Sequence, residues 1–171
     1  LVGNSVVDTL AYMGKTGVAD VIQLPIKNAK KLNDYKDNKD PIIALAILVD
    51  DTTLANTWKL SNAEGQDLKY YLTHKNKPLT KEQAEHLVID GMGKEDVINL
   101  LTIQKQDKLI SYIEQFQTPE FPITGNDLIQ HGMVPGPGLG NTLKQLKDLW
   151  KKNDYKLSAD ELLNAVTTES K

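Results

Sequence analysis

The chain has 171 residues, of which 40% are hydrophobic, and this is enough for one ordinary domain or two small ones around an apolar core. The net charge of -3 argues against indiscriminate nucleic-acid binding, and the absence of cysteine excludes disulfides, thiolate metal sites and cysteine nucleophiles. The longest apolar run, Pro41 to Val49, is about half of the ~18 to 20 residues that a membrane span needs, so we predict no transmembrane segment.

Helix signals dominate the chain, and no segment alternates with period two for long enough to predict a strand. Capping boxes predict three helix starts, at Ser61 with Glu64, Thr80 with Gln83, and Ser158 with Glu161. Further helices are predicted over Ala29 to Tyr35, Pro41 to Val49 with the proline at its first position, Thr52 to Trp58, Gly93 to Ile103, and Lys105 to Phe116.

The stretch Gln117 to Pro122 contains two prolines and interrupts helical continuity, so we predict a division there. Residues 1–116 would form a multi-helix body and residues 117–171 a smaller helical tail. In the tail we expect a short helix from Thr124 to His131, a loop from Gly132 to Gly140, a long helix to Lys152 and a last helix from Ser158. The predicted fold class is all-α. The first residue is not methionine, and the chain therefore resembles an internal fragment.

The glycine-rich loop and the long helix contain the residues that could bind a phosphate backbone. Gly136, Gly138 and Gly140 leave the backbone free for positive φ and precede a helix whose first amides attract anions. Lys144, Lys147 and Lys151 follow at i, i+3 and i+7, beside an apolar stripe, and could track a phosphate backbone. The spacing alone also fits a tight turn beside a solvated face. The stripe that we expect to be buried consists of Leu139, Leu143, Leu146 and Trp150.

The stretch from Phe121 to Leu128 (Phe-Pro-Ile-Thr-Gly-Asn-Asp-Leu), followed by Gly132 and by Pro135 to Gly140 (Pro-Gly-Pro-Gly-Leu-Gly), resembles the tail motif of class II tRNA nucleotidyltransferases and the related bacterial poly(A) polymerases. Trp58 to Glu64 is similar to a body segment of that family. The resemblance implies a part of a CCA-adding enzyme that anchors tRNA. The residues predicted to contact RNA are Lys59, Gly138, Leu139, Gly140, Asn141, Lys144, Lys147 and Lys151.

The catalytic head and neck of that family are missing from the chain, because it contains neither a Gly-Ser turn nor any arginine. The resemblance places Mg²⁺ and CTP or ATP in that head and neck, so we predict no catalytic residue, metal site or cofactor here and no activity of this chain alone. The expected partners are tRNA or other RNA and a catalytic head, and we expect no contact with a membrane or with DNA. The expected location is the cytoplasm. Asn126 and Asp127 are expected to cap and orient the motif.

Two alternatives stay open. The first is the same region of a poly(A) polymerase, and the second is a non-catalytic helical adaptor whose apolar groove would lie near Trp58, Tyr70 and Tyr71. Other candidate sites have simpler explanations. His86 and Asp90 are too few ligands for a metal and are predicted to be surface residues, and Asp50 and Asp51 are predicted to cap a helix. The cluster Asp34, Asp37 and Asp40 is interpreted as a linker, and Gly91 to Lys94 does not match a P-loop.

Overall fold

The computed structural model describes residues 5–35 and 40–168, and all regular elements in those ranges are helices. The prediction of an all-α fold is confirmed. The chain divides into two compact units, Leu1–Phe116 and Gln117–Lys171. No helix in the described ranges is long and apolar enough to cross a membrane.

The first unit contains eight α-helices and one 3-10 helix among its described residues. Most of the predicted helices are present with ends shifted by a residue or two, as expected for assignments at helix ends. In chain order they are α1 (Val6–Lys15), α2 (Val18–Val21), the 3-10 helix η1 (Ala29–Tyr35), α3 (Pro41–Leu48), α4 (Thr53–Thr57), α5 (Asn62–His74), α6 (Lys81–Ile89), α7 (Lys94–Ile103) and α8 (Asp107–Gln115).

Helix α3 forms the centre of the first unit. It starts with Pro41 at its first position, and the Asp40 carboxylate accepts the Ile42 amide at 2.8 Å. Six of its eight residues are buried. A helix that is apolar on every side can be stable in water only when other elements surround it, and here α5, α7 and η1 contact it. Further apolar groups form a second cluster between α6, α7 and α8.

Helix α7 joins these two clusters. Leu100 is buried in the cluster around α3, while Val97 and Leu101 are buried in the cluster with α6 and α8. The Lys94 ammonium at the start of α7 donates a hydrogen bond to the carbonyl of Phe116, the last residue of the unit.

The second unit consists of α9 (Gly125–Gln130), α10 (Pro137–Lys152) and α11 (Ala159–Thr168). Its core contains Trp150, whose indole contacts the rings of Phe121 and Tyr155 edge-on, with centroids 5.3 and 5.2 Å apart. Leu128 and Leu162 are also fully buried in this unit. Of the apolar stripe on α10, Leu146 and Trp150 are buried as predicted, while Leu139 and Leu143 at the start of the helix are half-buried.

The predicted capping boxes are all formed. Ser61 with Glu64 and Thr80 with Gln83 exchange reciprocal hydrogen bonds at the starts of α5 and α6. Ser158 does so with Glu161 before α11. Thr124 and Asp127 make a further box at α9, so the capping role predicted for Asp127 is confirmed. Such boxes form locally because they join backbone and side chain across only three residues.

Candidate nucleic-acid interface

The helix with the lysine row begins earlier than predicted. We expected a loop up to Gly140, but α10 starts at Pro137, and Gly138 and Gly140 lie within its first turn. Proline is well suited to the first helical position, because its fixed φ is helical and its missing N–H would have no partner there. None of the three glycines adopts the left-handed region that glycine leaves open to the backbone. Gly136 is extended with φ 160° and ψ -174°, and in this motif it is Gly132, with φ 98°, that adopts the left-handed region.

These glycines nevertheless leave an open surface at the start of α10. A Cβ atom added to Gly136, Gly138 or Gly140 would meet no heavy atom within 4 Å. Gly125 is different, because a Cβ there would lie 3.0 Å from the Leu139 side chain. Packing between α9 and α10 therefore explains Gly125 but not the glycines of the first turn of α10. That turn can be approached closely by another molecule.

The first turn of α10 also presents a backbone donor. Pro137 has no N–H, and the Leu139 amide donates to the Gly136 carbonyl at 3.0 Å. Within this turn the amide of Gly138 is therefore a donor available to an anion, and it lies at the positive end of the helix dipole. The side chains of the first turn carry no acidic group that would oppose an anion. Asn141 follows directly on an exposed position.

The three lysines of α10 differ in exposure. Lys144 is exposed and Lys147 is half-buried. Lys151 is only 8% exposed, and its ammonium lies 3.8 Å from the carboxylate of Asp148. The row is therefore most open towards the glycine turn and is closed at its other end. Asp148 was not among the predicted residues, although its position three residues before Lys151 is the ordinary spacing of an ion pair on a helix.

Lys59 belongs to the first unit and is exposed between α4 and α5. Its φ of 52° lies in the left-handed region. The neighbouring Trp58 anchors this turn, because its indole N–H donates to the Ile22 carbonyl at 2.8 Å. Trp58 therefore fixes this turn to the first unit, and the Lys59 side chain is exposed next to it. The other predicted RNA contacts all lie on α10.

Two further groups of residues have structural roles. Asp51 accepts the Thr53 amide at 2.8 Å at the start of α4, which confirms its predicted capping role. Hydrogen bonds from the side chain and the backbone amide of Thr53 hold the pKa of the Asp51 carboxyl below its ordinary value. Asp50 instead pairs with Lys75 at 3.1 Å. His86 is only partly exposed, and its Nε2 atom lies 4.0 Å from Glu82, so its predicted surface position is only partly confirmed.

No group of three or more histidine or acidic residues in the described ranges could hold a metal ion. Asp40 caps α3, and Asp37 lies outside the described residues.

The groove expected for a protein adaptor is not present where it was predicted. Tyr71 is 5% exposed and belongs to the core around α3. Trp58 and Tyr70 pack against the same core, and the Tyr70 hydroxyl contacts the sulfur of Met92 at 3.6 Å. These aromatic side chains stabilise the first unit and do not form an exposed apolar surface.

No protein-family model matches the chain. A search of curated proteins does find relatives. The zebrafish (Danio rerio) protein named "CCA tRNA nucleotidyltransferase 1, mitochondrial" is 28% identical over 98% of this chain and 43% of its own length. The human protein of the same name is 27% identical over 97% of this chain and 43% of its own length. This chain is a relative of the C-terminal portion of CCA tRNA nucleotidyltransferases.

A bacterial relative supports the same assignment. The "CCA-adding enzyme" of Pediococcus pentosaceus is 33% identical over half of this chain and 24% of its own length. The chain spans less than half the length of the curated relatives that it matches. The family resemblance inferred from the motifs in residues 58–64 and 121–140 is thus confirmed, and the alignment extends it over nearly the whole chain.

Proposed function

We propose that this chain is the tRNA-anchoring C-terminal part of a CCA-adding tRNA nucleotidyltransferase. Nucleotide addition, with its Mg²⁺ and CTP or ATP, is then assigned to the part of such an enzyme with which this chain does not align. This chain contributes orientation, because holding the substrate at a fixed distance converts addition to its 3' end into an effectively intramolecular step. On its own it is expected to be inactive.

The observation that carries this proposal is the open first turn of α10. Phosphate oxygens can approach the Gly138 amide closely, because no side chain occupies the space around Gly136, Gly138 and Gly140. Lys144 and Lys147 lie one and two turns further along the helix and can neutralise the following phosphates. Leu139, Gly140 and Asn141 form the surrounding surface. Lys151 contributes least, because it is buried beside Asp148.

This mode of binding recognises the shape of RNA and not its sequence. The chain has no arginine, so it cannot form the two-pronged hydrogen bonds by which guanidinium groups bind phosphate or guanine. The deep groove of an A-form helix is also closed to side chains. Lysines and backbone amides that follow a phosphate backbone are sufficient for tRNA, since its fold is common to all tRNAs. Lys59 is proposed as a phosphate contact from the first unit.

The sharpest test is Gly138→Ala, measured by fluorescence anisotropy of labelled tRNA and of an acceptor-stem minihelix at ~50 mM and ~200 mM salt. The added methyl group meets no protein atom and favours the helix, so the fold should be retained or slightly stabilised. It would occupy the space where a phosphate has to approach, and affinity should therefore fall. Gly65→Ala on α5 is the matched control, because that helical glycine also has no heavy atom within 4 Å.

A second pair of variants tests the charges. Lys144→Ala and Lys147→Ala together should weaken binding and reduce the slope of log affinity against log salt by about one for each lysine that contacts phosphate. Lys156→Ala in the same unit is the control, because Lys156 is exposed but lies beyond α10. Equal affinities of Gly138→Ala and Gly65→Ala, with an unchanged salt slope in the double variant, would refute the proposed interface.

The cytoplasm remains our predicted location. The two vertebrate relatives have "mitochondrial" in their names. Fractionation of cells that produce the full-length protein, tagged at its C-terminus, distinguishes the two compartments.

A further inference from the structure

Three lysines lie close together where the chain of the first unit enters η1. Lys27, Lys30 and Lys31 fall within five residues, and all three side chains are exposed. None of them was among the residues predicted to contact RNA. Among the described residues these lysines have no ion pair, so their ammonium groups are open to an external anion.

The backbone of this segment aligns side chains that are three residues apart. The Ala29 amide donates to the Ile26 carbonyl at 3.0 Å, and the Lys31 amide donates to the Asn28 carbonyl at 2.9 Å. These bonds continue the geometry of η1 back to the residues that precede it. In a 3-10 helix, side chains at i and i+3 lie one above the other, about 6 Å apart along the axis.

Burial follows the same three-residue period. One row of side chains is buried in the core around α3 and consists of Ala29, Leu32 and Tyr35. The next row is exposed and consists of Lys27, Lys30 and Asn33. In the third row Lys31 is exposed, and the side-chain amide of Asn28 donates to the Leu48 carbonyl at 3.1 Å. The buried row and Asn28 therefore fix the lysine row on the surface of the first unit.

The face carries an excess of positive charge. The exposed side chains of residues 27–33 include no carboxylate. The nearby Asp50 is already paired with Lys75 at 3.1 Å. The hydrogen bond and charge of Lys75 are the main reasons that the pKa of Asp50 is lowered, and the charges of Lys27 and Lys31 lower it further. One carboxylate with its own partner therefore faces additional ammonium groups, and it leaves most of their charge uncompensated.

Such a row suits a linear polyanion better than a small ligand. A small anion needs groups that converge on one point, whereas ammonium groups about 6 Å apart in a line can neutralise neighbouring phosphates of one strand. The exposed side chains of residues 27–33 include no aromatic ring on which an unpaired base could stack and no apolar group that could enter a lipid bilayer. The contact is therefore with a phosphate backbone.

We propose that η1 binds the phosphate backbone of RNA, with Lys27 and Lys30 on neighbouring phosphates and Lys31 beside them. Asn33 continues the row and can donate its side-chain amide to the next phosphate. This inference rests on the proposed function in taking RNA as the polyanion, and it adds a contact from the first unit to that of Lys59. Phosphate contacts carry no sequence information, so binding here is independent of RNA sequence.

The first test is Lys27→Ala with Lys30→Ala in the whole chain, measured by fluorescence anisotropy of labelled tRNA at ~50 mM and ~200 mM salt. Affinity should fall roughly tenfold at the lower salt, and the slope of log affinity against log salt should decrease by about one to two. The matched control, Lys69→Ala with Lys108→Ala, removes the same charge from exposed positions on α5 and α8. Equal losses in both double variants would overturn the proposal, because net charge alone would explain them.

A second test locates the contact directly. The chain contains no cysteine, so Lys30→Cys provides a single attachment point for a photo-crosslinker. Labelled tRNA should crosslink to this position in high yield. Lys108→Cys, labelled in the same way, should crosslink in much lower yield because it lies on α8. Equal yields from the two positions would contradict the proposed contact.

This contact and the α10 interface can fail separately. If Gly138→Ala binds tRNA normally while Lys27→Ala with Lys30→Ala binds weakly, the α10 interface fails and the contact at η1 stands. The reverse result overturns the contact at η1 alone. Phosphatidylserine vesicles are a further arm of the experiment. Vesicle binding that is lost in the Lys27 and Lys30 double variant, with tRNA binding unchanged, would assign the row to a membrane surface and overturn the proposal.

Discussion

Lys75 stabilises the end of α3 through its ammonium group. Its ammonium donates to the Val49 carbonyl at 2.6 Å, approaches the Ala46 carbonyl at 3.4 Å, and pairs with Asp50 at 3.1 Å. The last carbonyl groups of a helix have no partner within the helix, and Val49 is only 3% exposed. We expect that binding of these carbonyl groups, and not the ion pair, is the main contribution of Lys75.

Lys75→Met retains the aliphatic part of the side chain and removes the charge. A hydrogen bond from a charged donor contributes ~1.5 to 3 kcal/mol when its partner would otherwise be buried, so the free energy of unfolding should fall by about 2 kcal/mol. Asp50→Asn removes the ion pair but leaves the carbonyl contacts in place. The Asp50 side chain is 76% exposed, and the effect of this variant should be much smaller, because solvent screens exposed pairs.

The assay is urea unfolding followed by tryptophan fluorescence, with Trp58 as the reporter in the first unit and Trp150 in the second. The transition of the first unit should shift in Lys75→Met and change little in Asp50→Asn. A double variant should resemble Lys75→Met. The reasoning is refuted if both single variants destabilise the first unit equally, since the ion pair would then be the dominant interaction.

Two other predictions concern buried and titrating groups. The Tyr35 hydroxyl is buried without a hydrogen-bond partner in the described residues, and burial raises its pKa. Tyr35→Phe should therefore raise the free energy of unfolding by about 1 kcal/mol in the same urea assay. A loss of stability would show that the hydroxyl has a favourable contact. Hydrogen bonds from the side chain and backbone of the capping residues lower the pKa values of Glu64, Asp127 and Glu161. These carboxyls have lower pKa values in the folded than in the unfolded chain. Their contribution to stability is therefore complete above the pKa of the unfolded chain and is lost as the pH falls through the pKa of the folded chain. The urea midpoint should decrease from about pH 5 downwards, and Ser61→Ala should flatten that decrease.

Much of the helical pattern could be predicted, because its signals are local. The capping boxes at Ser61, Thr80 and Ser158 each join groups three residues apart, and all of them form. Pro41 begins α3 for the same kind of reason. The start of α10 was predicted wrongly although its signals are also local. Glycine disfavours a helix and Pro137 favours a helix start, and the proline decided the outcome.

The sequence by itself determined most of the helices, their caps and the family resemblance, because these depend on residues close together in the chain or on a contiguous motif. Only the tertiary structure decided which of the lysines on α10 are accessible. Their spacing places Lys144, Lys147 and Lys151 near one face, but Lys151 is buried and Lys144 is exposed. It also brought together Lys31, Lys75 and Lys105, which line one cavity of the first unit although they are far apart in sequence. Burial and cavities depend on which distant segments pack together, and helical periodicity carries no information about that.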